Sequence, residues 1–160
     1  HLEAPVLEDL LFNGWAINNS SVVIVKNLLQ SIGGLSEKKE LVGAEDYDAW
    51  LKISKITESF VKIPKTLGYY WDGGGNTSNP KRSLINLIEI EGIYKEKIEK
   101  YRLSDRFFYS HFIKGRANYL LGNYDLAKKN LNIALSKKIP LRVYMKCKLM
   151  TLILRFKNYE

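Results

Sequence analysis

The chain has 160 residues, of which 46% are hydrophobic and 26% charged, and both values are ordinary for a globular protein. This composition excludes wholesale disorder, a collagen-like repeat and a disulfide-stapled miniprotein, and a single cysteine argues against a structural zinc cluster. No apolar run reaches the length of a membrane span, and no segment has the pattern of a signal peptide. The chain begins His1-Leu2-Glu3 without an initiator methionine, which suggests either a tag remnant or a segment cut from a longer protein.

The net charge of +8 is distributed unevenly along the chain. Residues 1–80 carry seven Lys/Arg and ten Asp/Glu, a balance of −3, whereas residues 81–160 carry eighteen and seven, a balance of +11. Such an imbalance is typical of a basic module that binds an anionic partner, for example lipid headgroups, nucleic acid or an acidic protein. Lysines that simply cover the outer faces of helices would also produce it.

The first half of the chain has mixed helix and strand patterns. Helices are predicted where apolar residues recur at helical spacing, over residues 4–12, 26–32 and 45–57, and Gly33-Gly34 ends the second of them. Strands are predicted where β-branched or aromatic residues cluster, over residues 20–25, 60–63 and 67–71. Residues 72–78, with three consecutive glycines, are predicted to form a flexible loop.

The second half has helical periodicity throughout. Asn79-Pro80 is predicted to be an N-cap followed by proline at the first helical position of a helix that runs to about Lys100. Three further helices are predicted from Asp105 onward, the last two over Tyr124–Lys137 and Leu141–Phe156. The last helix is apolar over much of its circumference, so we expect another surface to cover it.

This helical tail resembles one tetratricopeptide repeat through six residues at the offsets of that motif: Gly115, Gly122, Tyr124, Ala127, Leu131 and Ala134. The match is partial, because His111 and Asn118 stand where the motif has a bulky aromatic and a tyrosine. A single repeat cannot bury its own face, and the helix Leu141–Phe156 is the natural cap. His111 and Cys147 have no ligand or catalytic partner at suitable spacing and are predicted to be structural.

Three carboxylates crowd the segment Glu45-Asp46-Tyr47-Asp48 at the start of a predicted helix. Their mutual repulsion raises the pKa of at least one of them, and the positive end of the helix offsets this repulsion. Acidic residues at a helix start are also ordinary capping chemistry, so spacing alone leaves two interpretations open, a catalytic cluster and a helix cap. Tyr47 and Trp50 are predicted to pack in the core.

The order of motifs resembles the second half of a family 2 glycosyltransferase of the GT-A fold. The resemblance covers roughly Trp15 to Ser83 and rests on Ser-Ser-Val-Val followed by Lys26, Gly-Gly, Ala-Glu-Asp-Tyr-Asp-Ala-Trp-Leu, Ile-Pro, Leu-Gly-Tyr-Tyr and Gly-Asn-Thr-Ser. It implies an α+β fold class: an incomplete GT-A-type portion with short strands, followed by an all-α helical-hairpin unit. The predicted domains are 1–79 for the glycosyltransferase portion, 80–104 for a connecting helix and 105–160 for the tetratricopeptide-like unit.

The resemblance also implies roles for individual residues. Asp46 would be the general base of an inverting displacement, and Glu45 would orient the loop or bind an acceptor hydroxyl. Asp48 is the second candidate for acceptor binding, but in a helical segment it would face elsewhere and be structural. Gly74, Asn76 and Ser78 would lie near the donor phosphates. Two positions depart from the family pattern, because Trp71 and Gly73 stand where many relatives have arginine and histidine.

The nucleotide-binding half of such an enzyme, with its metal-binding Asp-x-Asp, has no counterpart in this sequence. We therefore expect this chain alone to have no activity and to bind no metal. In the full-length enzyme we expect a divalent metal (Mg or Mn), a nucleotide-sugar donor and a saccharide or lipid-linked acceptor. A missing Gln-x-x-Arg-Trp signature favours transfer of a single sugar over polymer synthesis.

The expected location is cytoplasmic, with the basic tail held at an anionic membrane surface such as the inner membrane face. Nucleic acid is not an expected partner, because no recognised binding motif is present. The alternative function is a non-catalytic module that binds a protein or a membrane through its basic helical tail.

Overall fold

The computed structural model describes residues 2–69, 79–101 and 107–157. The chain divides into two compact units, His1–Ser78 and Asn79–Glu160. The first contains helices α1 (Val6–Asn13), α2 (Lys26–Ser31) and α3 (Glu45–Ile53), with single 3-10 turns at Asn19–Ser21 and Lys39–Leu41. The second contains α4 (Pro80–Ile93), α5 (Lys95–Tyr101), α6 (Tyr109–Leu120), α7 (Tyr124–Leu135) and α8 (Leu141–Lys157). The division of the second unit at residue 104 stays a prediction.

The core of the first unit lies where α1 packs against α3, and α2 also contacts α3. Leu10 of α1 and Leu51 of α3 are fully buried there. The hydroxyl of Tyr47 donates a hydrogen bond of 2.7 Å to the backbone carbonyl of Leu10, which joins the two helices. A carboxylate oxygen of Glu58 accepts a 2.8 Å bond from the backbone N–H of Val6, which ties the segment after α3 to the start of α1. These contacts hold the first turn of α3 in a fixed position on the unit.

The predicted α+β fold class is wrong, because the described ranges contain helices and irregular segments but no β-strand. The start of the predicted strand over residues 20–25 joins a 3-10 turn, and its remainder is extended without a partner. Residues 60–69, which include the second predicted strand and the described part of the third, are also irregular. An extended segment becomes a strand only when a neighbour pairs with its backbone groups, and the described residues supply no such neighbour.

The second unit begins with the capping signal predicted from the sequence. The side-chain oxygen of Asn79 accepts a 3.1 Å hydrogen bond from the backbone N–H of Arg82, and Pro80 occupies the first helical position, so both predictions are confirmed. The helix predicted to reach Lys100 is interrupted at Tyr94, where α4 ends and α5 begins one residue later. The carboxylate of Glu91 in α4 contacts the ammonium of Lys114 at 2.6 and 2.8 Å, which links α4 to α6.

Helices α6, α7 and α8 pack around one apolar cluster, and the helices predicted over these segments are confirmed. Gly122, at a φ of 79°, makes the turn between α6 and α7. The buried members of the cluster come from all three helices: Phe112, Ala127, Leu131, Ala134, Cys147 and Leu154. In the described parts of the chain, no helix is both long enough and apolar enough to cross a membrane.

Candidate functional site

The acidic cluster occupies the first turn of α3, as the sequence predicts. Ala44 precedes the helix and has no side chain that could cap it, and Gly43 before it has a φ of 82°. The helix therefore starts without a side-chain cap from its N-cap residue. The surroundings of the three carboxylates differ.

Glu45 folds back on the loop that leads into the helix. Its carboxylate accepts a hydrogen bond from the backbone N–H of Gly43, two residues earlier. This bond satisfies a backbone donor in the loop just before the helix. Glu45 is partly buried, and this contact fixes the loop at the entrance of α3.

Asp46 is half-buried, and one of its oxygens accepts a 2.8 Å hydrogen bond from the backbone N–H of Tyr47. Burial is the main reason that the pKa of the Asp46 carboxyl lies above its ordinary value of 3.8, and the negative charge of Glu45 raises it further. Hydrogen bonds from the backbone N–H groups of Tyr47, Asp46 itself and Asn19 oppose this rise. Asp46 thus combines a raised proton affinity with partial access to solvent.

Asp48 lies two residues further along α3 and points to the opposite side of the helix from Asp46, since consecutive helical residues are about 100° apart. Its side chain is only 1% exposed, and Oδ2 lies 2.6 Å from the ammonium of Lys52 one turn later. Both carboxylate oxygens lack a well-aligned hydrogen bond, so the contact with Lys52 is an ion pair with poor hydrogen-bond geometry. The structure therefore brings Asp46 and Glu45 together and separates Asp48 from them.

Aromatic side chains pack beside the first turn of α3. Tyr47 is buried, and the rings of Tyr47 and Trp15 meet edge to face with centroids 5.0 Å apart. Trp50 is also buried, which confirms the prediction that both α3 aromatics pack in the core. Trp15 is 43% exposed, so it lies at the border between this core and solvent.

The sequence analysis did not predict two residues that lie near Asp46. Trp15 packs on the residue that follows Asp46, and the backbone N–H of Asn19 bonds to the Asp46 carboxyl. Both precede Asp46 by more than twenty-five residues, and no periodic or spacing signal in the sequence connects them to it.

The remaining predicted site residues, Gly74, Asn76 and Ser78, lie outside the described residues. Residues 2–69, 79–101 and 107–157 contain no group of three or more His, Cys, Asp or Glu side chains that could hold a metal ion.

Two residues of the second unit carry groups that are often functional. Nδ1 of His111 lies 3.4 Å from Oδ1 of Asn130, and its ring meets Phe107 edge to face at 5.7 Å. Burial is the main reason that the pKa of His111 lies below its ordinary value, and the hydrogen bond with Asn130 opposes this lowering. Cys147 is fully buried, and burial raises the pKa of its thiol to about 11. Cys147 is thus a packed core residue, and His111 is half-buried against Phe107 and Asn130.

Helix α8 has a second apolar face that is exposed. We call this face the outer stripe; it comprises five side chains that are 49–75% exposed, Leu141, Met145, Leu149, Leu152 and Phe156. The opposite face of α8 carries Cys147 and Leu154, which are buried in the cluster with α6 and α7. The outer stripe is therefore not part of the unit's own core.

Comparison of the chain with protein-family models, with curated proteins and with solved structures gave no match in any of the three.

Proposed function

We propose that this chain is the acceptor-side portion of an inverting, non-processive glycosyltransferase in which Asp46 is the general base. The observation that supports the proposal is the environment of Asp46: burial and Glu45 raise the pKa of its carboxyl, and the side chain remains partly accessible. A general base works best when its pKa approaches the working pH and its carboxylate can reach the proton it removes. Asp46 combines both features, whereas the side chain of Asp48 is only 1% exposed.

The proposed reaction is a single displacement at the anomeric carbon of a nucleotide sugar. The acceptor hydroxyl oxygen forms a bond to this carbon while its proton passes to the carboxylate of Asp46. The bond between the anomeric carbon and the diphosphate oxygen breaks, and the nucleoside diphosphate leaves with the electron pair. Since attack occurs opposite the leaving group, the configuration at the carbon inverts. The described residues offer no fitting set of metal ligands, and the proposed steps use none.

The neighbouring acids are better suited to positioning than to chemistry. Glu45 is engaged with the backbone of Gly43, and this contact holds the loop before Asp46. Asp48 is buried against Lys52, and the ion pair anchors the first turn of α3 to its second turn. Direct contact of Glu45 or Asp48 with the acceptor stays a prediction.

The test measures the rate of sugar transfer by a longer protein that contains this sequence. The wild-type protein is compared with its Asp46→Asn variant. Asparagine keeps the shape of the side chain but cannot accept the proton, so the rate should fall about 10²- to 10⁴-fold while donor binding is unchanged. Glu40→Gln is the matched control, because Glu40 is an exposed acid in the turn that precedes α3. Its rate should remain within about twofold of wild type.

A near-normal rate for Asp46→Asn would contradict the proposal and leave the acidic cluster as a helix cap. Transfer by the 160-residue chain alone would contradict the part of the proposal that assigns donor binding to residues outside it.

A second candidate function is a non-catalytic module that binds a partner through the basic helical tail. The exposed outer stripe of α8 favours it, because five apolar side chains on one helix face are unusual on a surface without a partner. A longer protein that transfers no sugar, with or without Asp46, would favour this function over the enzyme.

A further inference from the structure

The outer stripe of α8 has a regular geometry along the helix. Its five members are spaced by four, four, three and four residues, which keeps them on one side of an α-helix. At about 1.5 Å per residue, Leu141 and Phe156 are roughly 22 Å apart along the axis. On a helical projection at about 100° per residue the stripe covers only about 80°, so it is long and narrow.

Basic side chains border the outer stripe on both sides. The same projection places Arg142 and Lys146 along one border and Lys148 and Arg155 along the other. All four are exposed, and Lys148 also lies over the ring of Tyr144, with Nζ 5.4 Å from the ring centroid. No acidic residue occurs between Leu141 and Lys157.

The charge extends beyond α8 itself. Residues 124–157 contain nine Lys/Arg and one acid, Asp125, a balance of 9 − 1 = +8. Lys128 and Lys129 of α7 and Lys138 of the loop before α8 are exposed. A partner that covers the outer stripe must therefore present negative charge on both sides of an apolar strip.

This requirement argues against a second copy of the chain as the partner. Two outer stripes packed against each other would bring basic borders close together, and no acidic side chain of α8 would compensate for their repulsion. It also disfavours simple burial under a neutral apolar surface, because the four basic groups would then lose water without gaining a counter-charge.

We propose that the outer stripe of α8 lies in the plane of an anionic membrane surface. The five apolar side chains enter the boundary between headgroups and acyl chains, and Arg142, Lys146, Lys148 and Arg155 contact lipid phosphates. Long basic side chains reach the headgroup level while their aliphatic stems lie along the apolar phase. The inner face of α8 remains packed on the unit, so binding requires no unfolding. This inference does not depend on the proposed glycosyltransferase activity.

The test is sedimentation of the full chain with vesicles of phosphatidylcholine alone and with vesicles containing roughly one-third phosphatidylserine, at about 0.1 M salt. We expect binding to the anionic vesicles to exceed binding to the neutral ones by at least about tenfold. The stripe variant Leu149→Gln/Phe156→Gln should lose at least about tenfold in partitioning. The control Leu120→Gln/Leu126→Gln changes two leucines that are 52% and 53% exposed on other helices, and it should bind like wild type.

Charge is tested separately with Lys146→Gln/Lys148→Gln. Since each basic residue near an anionic surface contributes a factor of about five, this variant should bind roughly 25-fold more weakly. The matched control Lys81→Gln/Lys95→Gln removes two exposed lysines from α4 and α5 and should lose far less. All substituted side chains are exposed, and circular dichroism checks that each variant keeps its fold.

Depth of insertion gives a further measurement. An environment-sensitive dye on Leu149→Cys should shift its emission to the blue with anionic vesicles, whereas the same dye on Leu126→Cys should not. Equal binding to neutral and anionic vesicles, or a stripe variant that binds like wild type, would overturn the proposal. So would a wild-type dimer that dissociates in the stripe variant, because the outer stripe would then be a contact between copies.

Discussion

Gly115 of α6 and Leu131 of α7 approach so closely that a β-carbon on Gly115 would lie 2.7 Å from Cγ of Leu131. The same atom would lie 3.1 Å from the backbone nitrogen of Leu131, so movement of the leucine side chain alone would not relieve the contact. Leu131 is fully buried in the cluster of α6, α7 and α8. The absence of a side chain at residue 115 therefore sets the distance between the first two helices of this hairpin.

We expect Gly115→Ala to destabilise the second unit by about 1–3 kcal/mol, because α6 must move away from α7 to admit the methyl group. Gly92→Ala is the matched control: Gly92 is also helical, but no atom beyond its chain neighbours and the backbone of its own helix lies within 4 Å of the added carbon. The control should raise stability by about 0.5–1 kcal/mol through its helix propensity. Urea unfolding followed by circular dichroism measures both, and equal effects would contradict the close contact.

The stability of the first unit should depend on pH through Asp46. The folded state raises the pKa of this carboxyl above 3.8, so it binds the proton more tightly than the unfolded state does. The free energy of unfolding therefore falls as the pH rises from below 3.8 through the higher pKa of the folded state. Asp46→Asn should remove this fall, which is measured as the difference between wild-type and variant unfolding curves across that pH range.

Glu40→Gln serves as the control for this pH effect, since it removes an exposed acid nearby. Parallel pH profiles for wild type and Asp46→Asn would mean that the carboxyl is not held in a proton-favouring environment.

Lys52 should stabilise the first unit by neutralising a buried charge. Lys52→Gln leaves the carboxylate of Asp48, only 1% exposed, without its cation, and we expect a loss of about 1–3 kcal/mol. Lys65→Gln removes an exposed lysine outside α3 and should change the free energy of unfolding by less than about 0.5 kcal/mol. The double variant Asp48→Leu/Lys52→Gln should recover much of the loss, because it removes the buried charge as well. No recovery would show that Lys52 contributes mainly through packing.

The thiol of Cys147 should report opening of the second unit. Its pKa rises from 9.0 to about 11, which lowers the thiolate fraction near neutral pH about 100-fold. Reaction with an aromatic disulfide reagent should therefore be at least about 100-fold slower than at an introduced Leu149→Cys, an exposed position two residues away. In concentrated urea the two rates should converge. A fast reaction of Cys147 in the native protein would contradict its burial.

Local signals allowed the helices of the second unit to be predicted. Asn79 and Pro80 specify a helix start through one side-chain bond and one fixed backbone angle, and Gly122 supplies the left-handed turn after α6. Each of these devices acts within a few residues. The strand predictions were wrong at residues 20–25, 60–63 and 67–69, because a β-branched or aromatic run indicates an extended backbone but does not supply the second strand that pairs with it.

In the candidate site, too, the local features could be predicted from the sequence and the long-range contacts could not. The start of α3 and its acidic first turn follow from the order of residues 45–48, and the spacing of Asp48 and Lys52 permits an ion pair. The burial that distinguishes Asp48 from Asp46 depends on tertiary packing, which no local pattern encodes. The backbone N–H of Asn19 reaches Asp46 for the same reason.

The irregular segment that follows α3 has a consequence for handling the protein. Val61, Ile63 and Leu67 are 90%, 56% and 75% exposed on backbone that is not paired into a sheet, a pattern that favours edge-to-edge aggregation. Lys62 and Lys65 interrupt this segment with positive charge and act as gatekeepers against stacking. Because salt screens such charges, concentrated solutions of the chain should tolerate low ionic strength better than high.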